Sequence, residues 1–503
     1  MDEFEEFEVS GVSWEAISAD AQARREKEAV DGAHLDTVIT EPLDFRRSIW
    51  ACSETALRSG VAADKKVRAP VAVFLLVLAA FIAPLLPASA ASLLLTGATV
   101  HTISGETLSL GQVLIQDGKI AAVGQSVSAN GAPTTNLSGL HLYPGLISLN
   151  SVLGLVEISG VRATLDSTEV GEYTPDVESW IAVNPDSELI AVARANGIAY
   201  FEPVPKGGIV PGQSGLVTVE GWTSENRTIK KPVALHLFWP SMELETTQRA
   251  RARTKAKSIE EQAKDRRSKL RAIEEFFLEA RHYAKAKDAA GKGSALAPEI
   301  VPAWEAMLPY VRGQLPIMVH ADEVRQIRAA VEWATTNKYS IILAGGRDSW
   351  MVASLLSTNK IPVIYSSTFD LPVRDTASYD VHFRAVEVLR QAGEKVAFSI
   401  GLDGMEAPHA RNLPYNAAQA VAFGLPESEA LKGLTLYPAQ IAGASDRLGS
   451  IEAGKDATLF AADDDILDLR ANVRHMWISG KEISLENKQT RLYEKYKSRP
   501  QAN

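Results

Sequence analysis

The chain has 503 residues, 46% hydrophobic and 23% charged, with a formal net charge of -10 at pH 7. This is globular composition, long enough for more than one small domain, and its acidic balance excludes a protein whose main work is to coat nucleic-acid phosphates. A single cysteine excludes a disulfide framework, a cysteine-rich zinc site and a cysteine-ligated iron-sulfur centre, so any metal must rely on histidine and carboxylate ligands.

Residues 1–64 are expected to be a disordered or mis-assigned N-terminal extension. Residues 1–90 hold 15 acidic and 9 basic side chains, which leaves 47 and 43 for the rest, so the body of the chain is nearly neutral. Cys52, the one cysteine, also lies in this leader. Residues 65–90 place a cationic patch (Lys65, Lys66, Arg68) before an uncharged apolar run and the triplet Ala88, Ser89, Ala90, the order of a secretory signal peptide. The run from Ala69 is also long enough for an anchor helix, so two expectations stand. One is a cleaved signal and a periplasmic or secreted product; the other is an inner-membrane anchor, with the membrane as partner only if residues 69–90 are retained.

Residues 91–125 alternate apolar and polar positions around a turn at Asp117 and Gly118, which predicts short antiparallel strands. The pattern returns in residues 448–464 and 473–483, so both ends are expected to build one small β-sandwich from residues 91–143 and 449–482, with 483–503 as a tail. Between them, apolar runs end at His320, Ala344, Tyr365 and Ile400, with earlier runs at 198–203, 216–220 and 233–237. Val324, Ile327, Val331 and Ala334 fall on one helical face between two of these runs. Strand-helix repetition of this kind predicts an α/β fold, a parallel (β/α)8 barrel over residues 144–448.

Residues 242–290 are dense in charge, with Ile259, Ala263, Leu270, Ile273 and Phe277 at helical steps, which predicts an inserted amphipathic helix. Its basic half (Arg249, Arg251, Arg253, Lys255, Lys257) reads as a solvated face, and no nucleic-acid partner is expected. Residues 206–215 lack the ending of a phosphate-binding loop and read as a loop ahead of a strand. Ser366 and Ser367 lack the context of a serine nucleophile.

Three segments carry a family resemblance: YPGLISLN (143–150), NLPYNAAQAVAFGLPESEALKGLTLYPAQIAG (412–443) and RLGSIEAGKDATLFAADDD (447–465). In this order they resemble the amidohydrolase superfamily, near its imidazolonepropionase and dihydroorotase branch, over about residues 91–482. The resemblance implies a TIM-like barrel with a small sheet domain and a metal centre at the C-terminal strand ends, hydrolysing carbon-nitrogen bonds of cyclic amides through metal-bound hydroxide. The implied ligands are a His-x-His pair after strand 1, a lysine or glutamate on strand 4, histidines on strands 5 and 6, and an aspartate on strand 8.

This sequence departs from most of that set. Asn150 and Val152 stand where the histidine pair is implied, Gly345 near the strand 6 position, and Gly401 or the displaced Asp403 on strand 8; Lys206 sits in a glycine- and proline-rich loop. His320 matches the strand 5 histidine. The candidates are therefore His320 and Asp403 as catalytic residues and as ligands of a single divalent zinc, if any metal binds, with His409, Arg411 and Asn412 as substrate contacts. For His320 a hydrogen-bonded barrel-mouth histidine is the competing account, and for Asp403 a turn cap. Two functions follow: a hydrolase with a reduced metal site, or a barrel without catalysis that binds a small molecule or protein partner at its mouth.

Overall fold

The computed structural model describes residues 92–244, 257–294 and 296–499. The expected extension, signal or anchor, and Cys52 lie outside them. Among the described residues no helix is long and apolar enough to cross a membrane.

Strands β1 (Ser92–Val100), β2 (Leu108–Gln116) and β3 (Lys119–Gly124) form an antiparallel meander. Asp117 and Gly118 between the last two both have positive φ, as a tight two-residue hairpin turn requires, and a Cβ on Gly118 would lie 2.8 Å from the Ser479 carbonyl oxygen. Strand β4 (Thr134–Asn136) and strand β5 (His141–Pro144) both run parallel to β1. From the far end of the chain, β14 (Leu459–Ala462) adds antiparallel to β5, followed by β15 (Val473–Ile478) and β16 (Lys481–Glu482). The two ends thus form one continuous hydrogen-bonded sheet, with Leu95, Val113, Ile115, Leu142, Leu459 and Trp477 in its core. Beyond it, the segment expected as a tail contains a helix, Lys488–Lys497, capped by Asn487.

The second sheet has the order β13-β12-β11-β10-β9-β8-β7-β6. Its strands are β6 (Leu146–Ser151), β7 (Ile198–Pro203), β8 (Gly212–Thr218), β9 (Thr228–Phe238), β10 (Ile317–Ala321), β11 (Ile341–Gly345), β12 (Val363–Tyr365) and β13 (Val396–Phe398). They wrap into a nearly closed eight-stranded barrel. The seam between β13 and β6 has no ladder but is tied by the Ser399 hydroxyl, which donates to the Asn150 carbonyl at 3.0 Å. Residues in β6, β7 and β8 are all buried, as expected of strands covered on both faces.

The expectation of an all-parallel barrel needs correction at β8, which runs antiparallel to both β7 and β9. A parallel crossover takes about a dozen residues or more, and the short links on either side of β8 provide no room for one. Strand β8 also begins at Gly212, so the end of the segment read as a loop belongs to the strand.

The inserted helix spans Ile259–Gly291 and opens with a reciprocal capping box between Ser258 and Glu261. Ile273, Phe277, Ala280 and Ala284 are buried at steps of three and four, and Phe277 meets Trp333 edge-on at 5.0 Å. Ile259, expected on that apolar face, is exposed because it lies four turns before the first buried contact. Lys257 pairs with Asp265 in solvent, and residues 249–255 of the basic run lie outside the described residues.

Gly145 joins the two sheets between β5 and β6. A Cβ there would lie 2.3 Å from the Ala199 Cβ and 3.0 Å from Thr458 Cγ2, neither of which is a flexible chain end. Gly145→Ala is expected to destabilise the protein by about 1–3 kcal/mol through overpacking, read as a lowered denaturant midpoint.

Candidate functional site

The C-terminal ends of the parallel strands form one mouth, and its floor carries three polar side chains projecting from otherwise apolar strands: Glu202 on β7, His236 on β9 and His320 on β10. Glu202 and His236 have no exposure at all, while His320 keeps 9%. Such groups are tolerated only with partners. The Glu202 Oε1 accepts the Ser214 hydroxyl of β8 at 2.6 Å and Oε2 accepts the Asn150 backbone N–H of β6 at 3.0 Å. Asn150 has φ +54, a left-handed conformation at the end of β6 from which its N–H reaches Glu202.

His236 sits between the other two. Its Nδ1 shares a hydrogen with His320 Nε2 at 2.8 Å, and its Nε2 lies 3.9 Å from Glu202 Oε1 with no hydrogen-bond partner of its own. Phe238 stacks on the His320 ring at 4.0 Å between centroids. Burial raises the Glu202 carboxyl from its ordinary 4.5 to about 7, against the two hydrogen bonds it accepts. Burial, then the neighbouring imidazole, holds His236 well below its usual value. Burial, then the Lys206 ammonium, lowers His320 to about 3. Both rings are neutral at physiological pH. Lys206 leaves the end of β7 and donates to the Leu402 carbonyl, in the loop after β13.

The other expected site residues are dispersed. Asp403 is exposed and its Oδ1 accepts the Gly404 N–H at 2.6 Å, a cap on its own turn. His409 is exposed beside Glu406, 3.6 Å away. Arg411 donates to Gln489 of the C-terminal helix at 2.6 Å, and with Asn412 and Tyr415 it lines a flank groove of about 360 Å³. Asn412 immediately precedes the helix Leu413–Ala422. The structure brings none of these four to His320.

The donors do not fit a metal centre of the implied kind. Val152 is fully buried among Val156 and Ala407. Gly345 has φ +88, a backbone conformation a histidine adopts only under strain, and a Cβ there would lie 2.6 Å from Asp322 Oδ1, so the carboxylate would have to shift. The histidine and carboxylate atoms that do meet point along a line, from His320 through His236 to Glu202, and not at a shared centre. Among the described residues no group of three or more His, Cys, Asp or Glu is placed to hold a metal ion.

Glu202 and His236 lie inside the apolar runs 198–203 and 233–237 and belong to no motif. The available signal was a single ionisable residue inside an otherwise apolar strand, in IAYFEP and in VALHL.

The buried carboxyl sets a pH dependence. Glu202 holds its proton more tightly folded than unfolded, so its contribution is fully retained below about pH 4.5 and is lost as the pH rises through about 7. The depressed histidines act oppositely, losing stability as the pH falls below their unfolded value near 6.5. The difference between wild type and Glu202→Gln isolates the carboxyl. Between pH 4.5 and 7.5 wild type is expected to lose on the order of 3 kcal/mol relative to the variant in denaturant titrations; parallel profiles contradict this.

Comparison with known proteins agrees with the architecture. A model of the amidohydrolase family matches residues 312–483. A curated relative, the amidohydrolase tasK of Hapsidospora irregularis, is 23% identical over 396 residues, 74% of this chain but only 39% of its own length. The chain therefore spans well under half of that relative. A solved amidohydrolase from Thermotoga maritima superposes with a TM-score of 0.67 at 26% identity, over 78% of this chain and 99% of its own. The nearly closed barrel, the sheet domain built from both ends and these matches together support the amidohydrolase superfamily.

Proposed function

We propose that this protein is a binding member of its superfamily, taking a small anionic ligand at the barrel mouth without hydrolysing it through metal-bound hydroxide. The observation that carries the reading is the hydrogen bond between the two imidazoles. It takes up the Nε2 of His320, the one residue that matches an implied ligand. A catalytic metal site usually has three protein donors converging on one ion with an open position for water, and the line of groups from Glu202 to His320 is not of that form. Lys206 supplies the positive charge of the mouth: one of its three N–H groups goes to Leu402, leaving two for an anion. Hydrolysis of cyclic amides at a reduced metal site is the alternative, favoured by the family match alone.

Full-length protein incubated with zinc, desalted and analysed for metal is expected to hold no stoichiometric zinc, and His320→Ala to change nothing. Stoichiometric zinc that disappears in His320→Ala overturns the reading. In ligand-observed NMR, N-acetylglycine is expected to bind wild type at least about tenfold more tightly than Lys206→Met, a difference of about 1.4 kcal/mol. Equal binding to both proteins removes the anion site.

We further propose that the barrel is exported, on the order of cationic patch, apolar run and Ala-Ser-Ala in residues 65–90. N-terminal sequencing of the mature protein is expected to start close to residue 91. Retention of residues 69–90 in a membrane fraction identifies the anchored form instead.

A further inference from the structure

The line of groups on the mouth floor constrains where its protons sit. A neutral imidazole has one N–H and one bare nitrogen, so in the 2.8 Å contact between His236 Nδ1 and His320 Nε2 one ring donates and the other accepts. Which does so is decided at the far side of His236. Its Nε2 is enclosed, has no hydrogen-bond partner, and faces Glu202 Oε1 at 3.9 Å.

Glu202 is arranged to accept. The backbone N–H of Asn150 can only donate to Oε2, and the Ser214 hydroxyl lies at 2.6 Å from Oε1. A carboxylate fed in this way favours a proton on the nearest nitrogen, His236 Nε2, through space in a buried, low-dielectric setting. His236 Nδ1 is then the bare nitrogen, so His320 must donate to it from Nε2. The second nitrogen of His320, Nδ1, has no hydrogen bond and is not among the enclosed unpartnered atoms, and His320 is the one ring of the two with any exposure.

We propose that Glu202 is a positioning residue that, through His236, holds His320 with its proton on Nε2 and so leaves Nδ1 as a hydrogen-bond acceptor at the barrel mouth. A ligand there presents an N–H or O–H to His320 while its anionic group meets Lys206. Only this last step rests on the mouth being a ligand site; the placement of the protons is a property of the protein alone. The other charged group acting on His320 is Lys206, which disfavours protonation of the ring as a whole, and no other charged side chain among the described residues shifts Glu202.

The test is nitrogen NMR of the full chain labelled with ¹⁵N at its nine histidines, with His236→Gln and His320→Gln spectra assigning the two rings. At pH 8 the wild-type protein is expected to show a bare Nδ1 and a protonated Nε2 on both rings. In Glu202→Gln, which lacks the negative charge, the His320 ring is expected to move to a mixed or inverted tautomer. A proton on His320 Nδ1 in wild type, or an unchanged His320 tautomer in Glu202→Gln, overturns the proposal. Should that variant fail to fold, the wild-type His236 signal decides alone, since a bare Nε2 there breaks the chain of reasoning. These spectra need no ligand, so loss of N-acetylglycine binding with the stated tautomer intact refutes the ligand reading and leaves this one standing.

Discussion

The site is organised by one costly burial. Glu202 is a carboxyl with no exposure, and leaving such a group without partners would cost several kcal/mol. The barrel answers from two strands, β6 with the Asn150 N–H and β8 with the Ser214 hydroxyl, while β9 sets the His236 imidazole 3.9 Å away. Because β8 runs against its neighbours, it is the beginning of that strand that stands level with the ends of β6, β7 and β9. The reversed strand is therefore part of how Ser214 comes to face Glu202.

The same floor explains why few replacements are open at the mouth. His320 cannot turn freely, since Phe238 stacks on one face of its ring and His236 holds one edge. Next to it, Asp322 accepts the Arg347 backbone N–H at 3.3 Å and lies close against Gly345. Beyond it, the Arg374 guanidinium grips Asp348, whose carboxylate also receives the Val324 N–H at 3.1 Å. Strand ends β10 and β11 are thus locked by their own acids and bases, a different use of carboxylates from binding an ion.

The fold was legible because its signals are periodic. The apolar runs ending at His320, Ala344, Tyr365 and Ile400 mark strands β10 to β13, and in the helix Val324–Asn337 the side chains of Ile327, Val331 and Ala334 are buried, with Val324 half-buried beside them. The reversal of β8 left no such mark, since a strand reads alike in either direction and only the length of its connections betrays it. The site was harder to read for a related reason. Arg411 and Asn412 follow a barrel strand in sequence, yet the chain turns into helix within a few residues and carries them to the flank, against Gln489. Glu202 and His236 are separated by two strand connections and meet only when the barrel curls, which no local pattern encodes.

A barrel of this kind separates its scaffold from its chemistry, because the outward faces of the strands pack on helices while the inward ends meet one another. Val319, Leu343 and Ile364 sustain the core whatever stands at the mouth. A change of donor at one strand end is therefore tolerated by the fold, but the remaining polar groups must find new partners or leave. Here Asn150 occupies a strand end where the family resemblance implies a metal ligand, and its backbone serves Glu202 instead. His320, left without a ring of fellow donors, is held by His236. The polar floor thus runs from Glu202 past His236 to His320, with a hydrogen bond between the two imidazoles and a 3.9 Å gap between His236 and the carboxylate.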